Sequence, residues 1–306
     1  MIAYLLRRAL WTLSVLWVVF TLSFLLMNAV PGRPFGGDRG MDPEIEKIFR
    51  ARYHLDEPIY VRYGYLLTDY LRGDFGISKT LRDFSINEII AQGLPVSATL
   101  GLLALLFALT FGIIAGIASA VRRGGLVDHS LMAVATVGIA LPEFVVAGLA
   151  IIMFVFILPW FPSAGWGSLR HLVLPVVCLG LPYAAYIARL TRSGMLDVLS
   201  QDYIRTARAK GLAPSTILTR HALKGSLLPV LSYIGPATAG ILTGSLVEEK
   251  IFAIPGLGIH LVESVFQRDL TLAMALTMLY TVILCLMNFI VDVLYKVVDP
   301  RIKLDA

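Results

Sequence analysis

The sequence is short of charged residues and of cysteine, and each shortage excludes a class of protein. Charged residues make up 15% of its 306 residues and apolar residues 57%, with a mean hydropathy of +0.78. Soluble domains carry about 25% charged residues, so neither a single water-soluble domain nor a disordered chain fits this composition. Two cysteines are too few for a disulfide framework or for a zinc site built from cysteines.

Several catalytic and binding motifs are also missing. No two of the five histidines stand four residues apart, as the paired ligands of zinc proteases do, so no metal site is predicted. The Gly-x-x-x-x-Gly-Lys phosphate loop is absent, so the chain is not expected to bind ATP through such a loop. The net charge of +5 is not pooled in one polar domain, and no nucleic acid partner is expected.

Six apolar segments approach or exceed the length needed to cross a membrane. A helix needs about 20 apolar residues to span a hydrocarbon core about 30 Å thick. The segments lie at residues 9–30, 96–121, 131–158, 172–188, 227–247 and 272–298. No small-residue cleavage site precedes Pro31, so the first segment is predicted to be a retained anchor and not a signal peptide. The predicted fold class is an all-α polytopic membrane protein with six transmembrane helices.

The positions of lysine and arginine in the short connections predict the orientation. With the N-terminus inside, the cytoplasmic side holds 14 basic residues, whereas the short outer loops hold three, Arg170, Lys250 and Arg268. Both termini are therefore predicted to be cytoplasmic.

The long outer segment at residues 31–95 is not linker-like. Apolar and aromatic residues recur in it at helical spacing, and the run at residues 72–76 ends that pattern. This predicts a small helical cap on the outer face of the membrane. The aromatic stripe is explained either by ordinary packing or by a role in binding.

The cytoplasmic connection at residues 189–226 predicts two short helices divided by a breaker. Asp202 is placed to cap a helix over residues 203–210, and Gly211 fits its C-terminal stop. Pro214 is suited to begin the next helix.

The first of these helices is basic because it contains Arg205, Arg208 and Lys210. A solvated loop that obeys the positive-inside rule would explain the charge alone. It would not require two helices, or Ala207 and Ala209 between the cations. A short helix with small residues and outward cations is suited to a groove in a partner protein.

Two glycine pairs stand four residues apart within the spans, Gly112 with Gly116 and Gly240 with Gly244. Missing side chains let two membrane helices approach closely. These glycines are predicted to be helix-packing positions.

Glu143 is the one charge in the 131–158 segment. A charge inside a span is costly and usually faces a wet cavity or a partner, which makes Glu143 a candidate residue of a transport pathway. Alternatively, Pro142 breaks the segment and leaves Glu143 at a polar helix end that faces a neighbouring subunit.

The run at residues 202–212, Asp-Tyr-Ile-Arg-Thr-Ala-Arg-Ala-Lys-Gly-Leu, resembles the ATPase-contacting loop of the binding-protein-dependent ABC importer permeases, in the version found in their peptide branch. Ala207 and Gly211 match the general pattern of that loop. Arg205 and Thr206 replace its Glu and first Ala, which fits the peptide branch.

The resemblance extends over nearly the whole chain. Stretches similar to the same branch lie at residues 6–8, 53–58, 73–76, 249–258 and 298–302. Residues 31–35 and the short second outer loop are most similar to the B subunits of oligopeptide permeases.

This resemblance implies a bundle like that of type I ABC importer permeases, multi-pass in a bacterial inner membrane. It implies an N-terminal transmembrane anchor at residues 1–30, a periplasmic helical cap at 31–95, and a five-helix permease core at 96–306 that contains the coupling loop 189–226. The residues that would contact an ATPase are Asp202, Tyr203, Arg205, Thr206, Ala207, Arg208, Ala209, Lys210 and Gly211.

The resemblance also implies the partners. A second, related permease subunit would complete the pathway, two cytoplasmic ATPase subunits would bind ATP and Mg, and a periplasmic binding protein would deliver peptide. This chain would itself bind no cofactor, catalyse no reaction and be surrounded by membrane lipid.

Three alternatives remain. A dipeptide or other small-solute ABC permease would share most of these features. A proton-coupled carrier would use Glu143 as its titrating group, although the sequence has no clear internal repeat of the kind that carriers often contain. A membrane enzyme is disfavoured because no metal pair or nucleophile constellation lies in the spans.

Overall fold

The structure, a computed structural model, describes residues 2–29, 47, 50–81 and 84–298, and it describes their side chains except at 2–6, 243–244 and 291–298. The stretches at 31–35 and 299–302 that carry part of the family resemblance lie outside the described residues. Most of the first third of the predicted cap, residues 31–46 and 48–49, also lies outside the described residues.

The described residues are almost entirely helical, and the β-pairing among them is one isolated bridge between Ile77 and Ser85. In chain order the helices are α1 (Ile2–Ala29), α2 (Ile59–Leu71), α3 (Ile86–Val121), α4 (Leu126–Ala140), α5 (Glu143–Ile151), α6 (Leu169–Leu199), α7 (Asp202–Ala209), α8 (Pro214–Thr216), α9 (Leu223–Ser226), α10 (Leu228–Ile251), α11 (Leu257–Phe266) and α12 (Leu270–Val298). Two π-helical segments continue α5 and join α8 to α9, at Ile152–Ile157 and Ile217–Ala222.

Five helices in the described part of the chain are long and apolar enough to cross a membrane, namely Arg7–Ala29 in α1, α3, α6, α10 and Leu270–Ile290 in α12. The pair formed by α4 with α5 and its π-helical extension makes a sixth if it is counted as one broken span. The predicted all-α polytopic fold is therefore confirmed. The predicted cytoplasmic position of both termini stays a prediction.

The break between α4 and α5 follows from Pro142. A residue before proline is driven out of the helical region, and Leu141 is extended, with φ −85° and ψ 132°. The two helical segments meet at an angle of 108°. Glu143 is the first residue of α5.

The described residues fall into two compact units. The first comprises Met1–Ser97 and Pro255–Cys285, and the second comprises Ala98–Ile254 and Leu286–Ala306. Helix α3 begins at Ile86, so residues 86–95, placed by the sequence in the outer cap, are the first turns of a membrane-length helix. The domain division at residues 30 and 95 stays a prediction.

In the first unit, α1 and α2 pack through aromatic side chains. Tyr63 of α2 makes edge-on ring contacts with Phe20 and Phe24 of α1, at centroid distances of 5.4 and 5.3 Å. The hydroxyls of Tyr63 and Thr21 are 2.8 Å apart and share a hydrogen bond. Part of the aromatic and apolar pattern predicted in the outer segment, namely Tyr63, Leu66, Leu67 and Tyr70, therefore supplies packing between these two helices.

Tyr53 fixes the segment that leads into α3. Its hydroxyl accepts a hydrogen bond from the Ile77 amide and donates one to the Ile77 carbonyl, each 2.9 Å long. Burial raises the pKa of Tyr53 to about 12, because the charged phenolate is disfavoured away from water.

In the second unit, α6 is the central helix, against which α4, α5, α9 and α10 all pack. Its buried side includes Leu179, Ile187 and Met195. The cytoplasmic connection predicted at residues 189–226 begins inside this helix, because α6 extends to Leu199.

Candidate coupling site

Helix α7 presents a polar face and buries a narrow apolar stripe. Ile204 and Ala207, three residues apart and thus on one helix face, are 0% and 6% exposed. The other residues predicted to contact an ATPase are exposed: Asp202, Tyr203, Arg205, Thr206, Arg208, Ala209, Lys210 and Gly211. The structure therefore brings eight of the nine predicted residues to the surface, and Ala207 anchors them.

The seat of α7 is an apolar cluster contributed by several elements of the second unit. Ile204 and Ala207 pack with Ala120 of α3, Met195 of α6 and Ile217 of the π-helical segment. Burying a side chain as large as Ile or Met stabilises the folded protein by about 1.5–3 kcal/mol. With only eight residues, α7 is too short to be stable alone. Its packing against this apolar cluster therefore holds it in place.

The two ends of α7 are defined by local geometry. Gln201, and not Asp202, occupies the N-cap position and its side chain makes no capping hydrogen bond, so the prediction that Asp202 caps this helix is wrong. The Asp202 carboxylate lies instead 3.3 Å from Arg205, in an exposed ion pair. Such pairs contribute about 0–1 kcal/mol.

Gly211 terminates the helix as predicted. Its φ of +73° lies in the left-handed region, which glycine adopts without the steric cost of a side chain. The Gly211 amide donates to the Arg208 carbonyl and the Leu212 amide to the Ala207 carbonyl, at 2.9 and 3.3 Å. Pro214 then begins α8 at its first position, also as predicted.

The glycine pair in α3 lies against α6. A Cβ added at Gly112 would stand 2.7 Å from the Ala184 carbonyl oxygen, and one at Gly116 would stand 2.6 Å from the Ala188 carbonyl oxygen. Both distances are shorter than real Cβ contacts, so only glycine permits this approach. Two helix backbones can thus touch without intervening side chains.

The second glycine pair is in α10. A Cβ at Gly240 would meet the ring of Tyr183, with the Cε1 atom 2.9 Å away. Gly244 lies in α10 but is one of the residues whose side-chain environment the structure does not describe.

Glu143 is partly buried at the start of α5, one residue after the break. A second acidic position was missed by the sequence. Glu248 and Glu249 are both 0% exposed, and both lie within α10, which continues to Ile251. The predicted span ended at Val247, which placed both glutamates in a loop. Among the described residues, neither carboxylate oxygen of Glu248 has a hydrogen-bond partner.

Comparison with known proteins agrees with this architecture. Residues 108–304 match the family model described as the binding-protein-dependent transport system inner membrane component. The chain is 45% identical to the oligopeptide transport system permease protein OppB of Escherichia coli strain K12 over 305 residues, which cover 99% of this chain and 100% of that protein. It is also 45% identical to the dipeptide transport system permease protein DppB of Bacillus subtilis strain 168 over 304 residues, 99% of each chain.

A solved structure shows the same fold. A chain of the inward-facing MetNI methionine ABC transporter superposes with a TM-score of 0.56 at 18% sequence identity, over 69% of this chain and 96% of that one.

Proposed function

Because the chain belongs to the family of binding-protein-dependent transport system inner membrane components, we propose that it is a permease subunit of an ATP-driven peptide importer. The observation that carries the proposal is full-length similarity to two curated peptide permeases. We propose short oligopeptides as the substrate. Dipeptides are the second candidate, because the identity to the dipeptide permease is the same 45%.

In this proposal, the chain forms half of the translocation pathway and a second, related permease subunit forms the other half. A periplasmic binding protein delivers the peptide, and two ATPase subunits on the cytoplasmic side bind ATP and Mg. The chain is an inner-membrane protein with several membrane-spanning helices. It contributes no catalytic group of its own, since ATP hydrolysis takes place on the partners.

We propose that α7 is the coupling helix. Its exposed residues would seat in a groove of an ATPase subunit, with Tyr203 as an apolar contact because its side chain is half exposed. The cations Arg205, Arg208 and Lys210 would face that partner. Ile204 and Ala207 support this proposal, since an anchored helix can transmit force to the helices beneath it.

The mechanism follows from a two-state equilibrium. ATP binding closes the ATPase pair and moves α7, and the bundle opens outward toward the docked binding protein. A ligand shifts such an equilibrium only by its differential affinity for the two states, so ATP must bind more tightly to the closed pair.

Uptake in cells that lack this chain tests the proposal. Labelled di-, tri- and pentapeptides are supplied to cells that carry the wild type, an empty vector, Gly211→Val, or Arg205→Glu with Arg208→Glu. The matched control reverses Arg220 and Lys224, two exposed cations outside α7 in the same predicted connection at residues 189–226, so that both variants change the topology signal equally. We expect the wild type and this control to restore ATP-dependent uptake and the other two variants to insert into the membrane without restoring it.

Each contrary outcome has a distinct meaning. Normal uptake by the Arg205/Arg208 variant would show that the basic residues act only as a topology signal. Uptake of dipeptides alone would select the second candidate substrate. Peptide uptake that never depends on this chain would overturn the peptide proposal.

A further inference from the structure

An ion pair between the buried Asp128 carboxylate and the partly exposed Arg192 lies close to the seat of α7. Asp128 is 3% exposed, and the Arg192 guanidinium donates to both of its oxygens, from Nε to Oδ1 at 2.7 Å and from a terminal nitrogen to Oδ2 at 2.8 Å. The Gly124 amide donates to Oδ2 at 2.9 Å, and the Ser119 hydroxyl donates to Oδ1. A carboxylate offers about four acceptor positions, so this one is fully satisfied.

The four groups come from different elements of the second unit. Ser119 is near the end of α3, Gly124 is in the turn that follows, Asp128 is in the first turn of α4, and Arg192 is in α6. The carboxylate therefore joins three helices at one point. Two parallel bonds from a planar guanidinium also fix the orientation of the pair, which a single contact would not do.

The pair adjoins the coupling helix through neighbouring residues of the same helices. Ala120 follows Ser119, and Met195 lies one helical turn after Arg192. Both belong to the apolar cluster in which Ile204 and Ala207 of α7 are buried. At Gly116, one turn before Ala120, α3 also touches the backbone of α6. These contacts leave little room for α3, α6 and α7 to move separately.

Helix α4, the first half of the broken span, connects the ion pair with the break at Pro142. It runs from Leu126 to Ala140, and the break at Pro142 and the carboxylate of Glu143 follow directly. Broken helices of transporters commonly lie at the substrate site. A displacement of Asp128 would thus be carried along a single rigid helix to the break.

We propose that Asp128 and Arg192 are positioning residues for energy coupling, which make α4 follow α7 when the ATPase subunits move. This inference rests on the proposed function of α7 as the coupling helix. In the absence of the pair, α7 would still be seated on its apolar cluster, and ATP would still be hydrolysed. The movement would not reach α4 in full, so less peptide would be carried for each ATP hydrolysed.

The first experiment uses the complete importer reconstituted in proteoliposomes, with its binding protein and a labelled tripeptide. Arg192→Lys keeps the charge and loses the two-bond geometry. Arg123→Lys is the matched control, because Arg123 is exposed in the turn between α3 and α4. For Arg192→Lys we expect the ratio of peptide transported to ATP hydrolysed to fall by about fivefold or more, with ATP hydrolysis close to that of the wild type.

A parallel loss of transport and hydrolysis in Arg192→Lys would indicate a purely structural role and overturn the proposal. So would a ratio equal to that of Arg123→Lys. If the wild-type importer itself transported no peptide, the proposed function would fail, and a second measurement would still decide the inference.

That second measurement needs no substrate. Spin labels are placed at Val134 on α4 and at Ser200, directly after α6, both of which are exposed. In the wild-type importer we expect one narrow distance distribution, the same without nucleotide and with trapped ATP. In Arg192→Lys we expect a distribution that broadens or shifts between these states. An unchanged narrow distribution in the variant would overturn the proposal whatever the substrate is.

Discussion

Gly194 of α6 lies directly against the backbone of Ser226 at the end of α9. A Cβ at Gly194 would stand 3.2 Å from the Ser226 Cα and nearer still to its carbonyl oxygen. The neighbouring atoms are backbone, which cannot rotate away as a flexible side chain can. The contact fixes the segment that returns from α7 to the membrane.

We expect Gly194→Ala to destabilise the protein by about 1–3 kcal/mol, because the added methyl group overpacks a backbone contact. Gly148→Ala is the matched control, since Gly148 of α5 has no atom within 4 Å of its Cβ position. There, alanine should stabilise the helix by about 0.5–1 kcal/mol. Thermal unfolding of the purified complex measures both, and equal melting temperatures for the two variants would contradict the prediction.

Asp269 connects the start of α12 with the segment at residues 78–80 of the first unit. It is 0% exposed and directly precedes α12. Its Oδ1 accepts from the Leu272 amide at 3.2 Å, as an N-cap residue does. Its Oδ2 accepts from the Ser78 hydroxyl at 2.5 Å and from the Thr80 amide at 3.0 Å.

We expect Asp269→Ala to cost at least about 2 kcal/mol of stability, since it leaves buried donors unpaired and removes the helix cap. Asp56→Ala should cost less than about 1 kcal/mol, because Asp56 forms an ion pair with Arg50 in which its side chain is 75% exposed. Denaturation of the two variants in the same detergent compares them. If Asp56→Ala lowered the stability as much as Asp269→Ala, the burial of a carboxylate would not determine its contribution to stability, and the prediction would be wrong.

Tyr53 offers a prediction with a pH dependence. Tyr53→Phe leaves the Ile77 amide without its hydrogen bond and the Ile77 carbonyl with only the 3.2 Å bond from the Thr271 hydroxyl, and it should cost about 1–3 kcal/mol at neutral pH. The folded pKa of about 12 is above the ordinary tyrosine value of 10.0, so the protonated phenol adds stability below about pH 10 that is lost as the pH rises toward 12. The difference in melting temperature between wild type and Tyr53→Phe should therefore shrink above pH 10. A difference that stays constant to pH 11.5 would contradict this assignment.

The features that the sequence predicted well are those with a local physical cause. Apolar length predicted the spans, and the steric freedom of glycine predicted the end of α7 at Gly211. The break at Pro142 is one of two alternatives that the sequence leaves open for the segment at 131–158, and the structure shows it, because the effect of proline on the preceding residue is local. The predicted ATPase-contacting residues came from resemblance to a family and remain predictions.

The features that the sequence missed depend on contacts between distant residues. Asp128 and Arg192 are 64 positions apart, and each alone resembles an ordinary charge at a membrane surface. Ile204 is one apolar residue in a basic run, and only its neighbours from three other elements make it an anchor. Glu248 was assigned to a loop because hydropathy falls at two adjacent glutamates, although the helix continues past them.

Glu143 separates the permease proposal from a proton-coupled carrier. In a carrier, the carboxyl group must gain and lose a proton in each cycle, so Glu143→Gln would abolish uptake. In an ATP-driven permease, glutamine preserves the size and the hydrogen-bonding capacity of the side chain, and only the favourable interaction of a negative charge with the start of α5 is lost, about 0.3–1 kcal/mol. We therefore expect Glu143→Gln to retain most of the ATP-dependent uptake.

The measurement is peptide uptake into right-side-out vesicles, with ATP regenerated in the lumen on the ATPase side, with and without a protonophore. We expect the protonophore to leave uptake unchanged in the wild type and in Glu143→Gln. Glu88→Gln is the matched control, because it makes the same chemical change at an exposed glutamate near the start of α3. Loss of uptake in Glu143→Gln but not in Glu88→Gln, together with inhibition of the wild type by the protonophore, would establish Glu143 as a titrating group and favour the carrier.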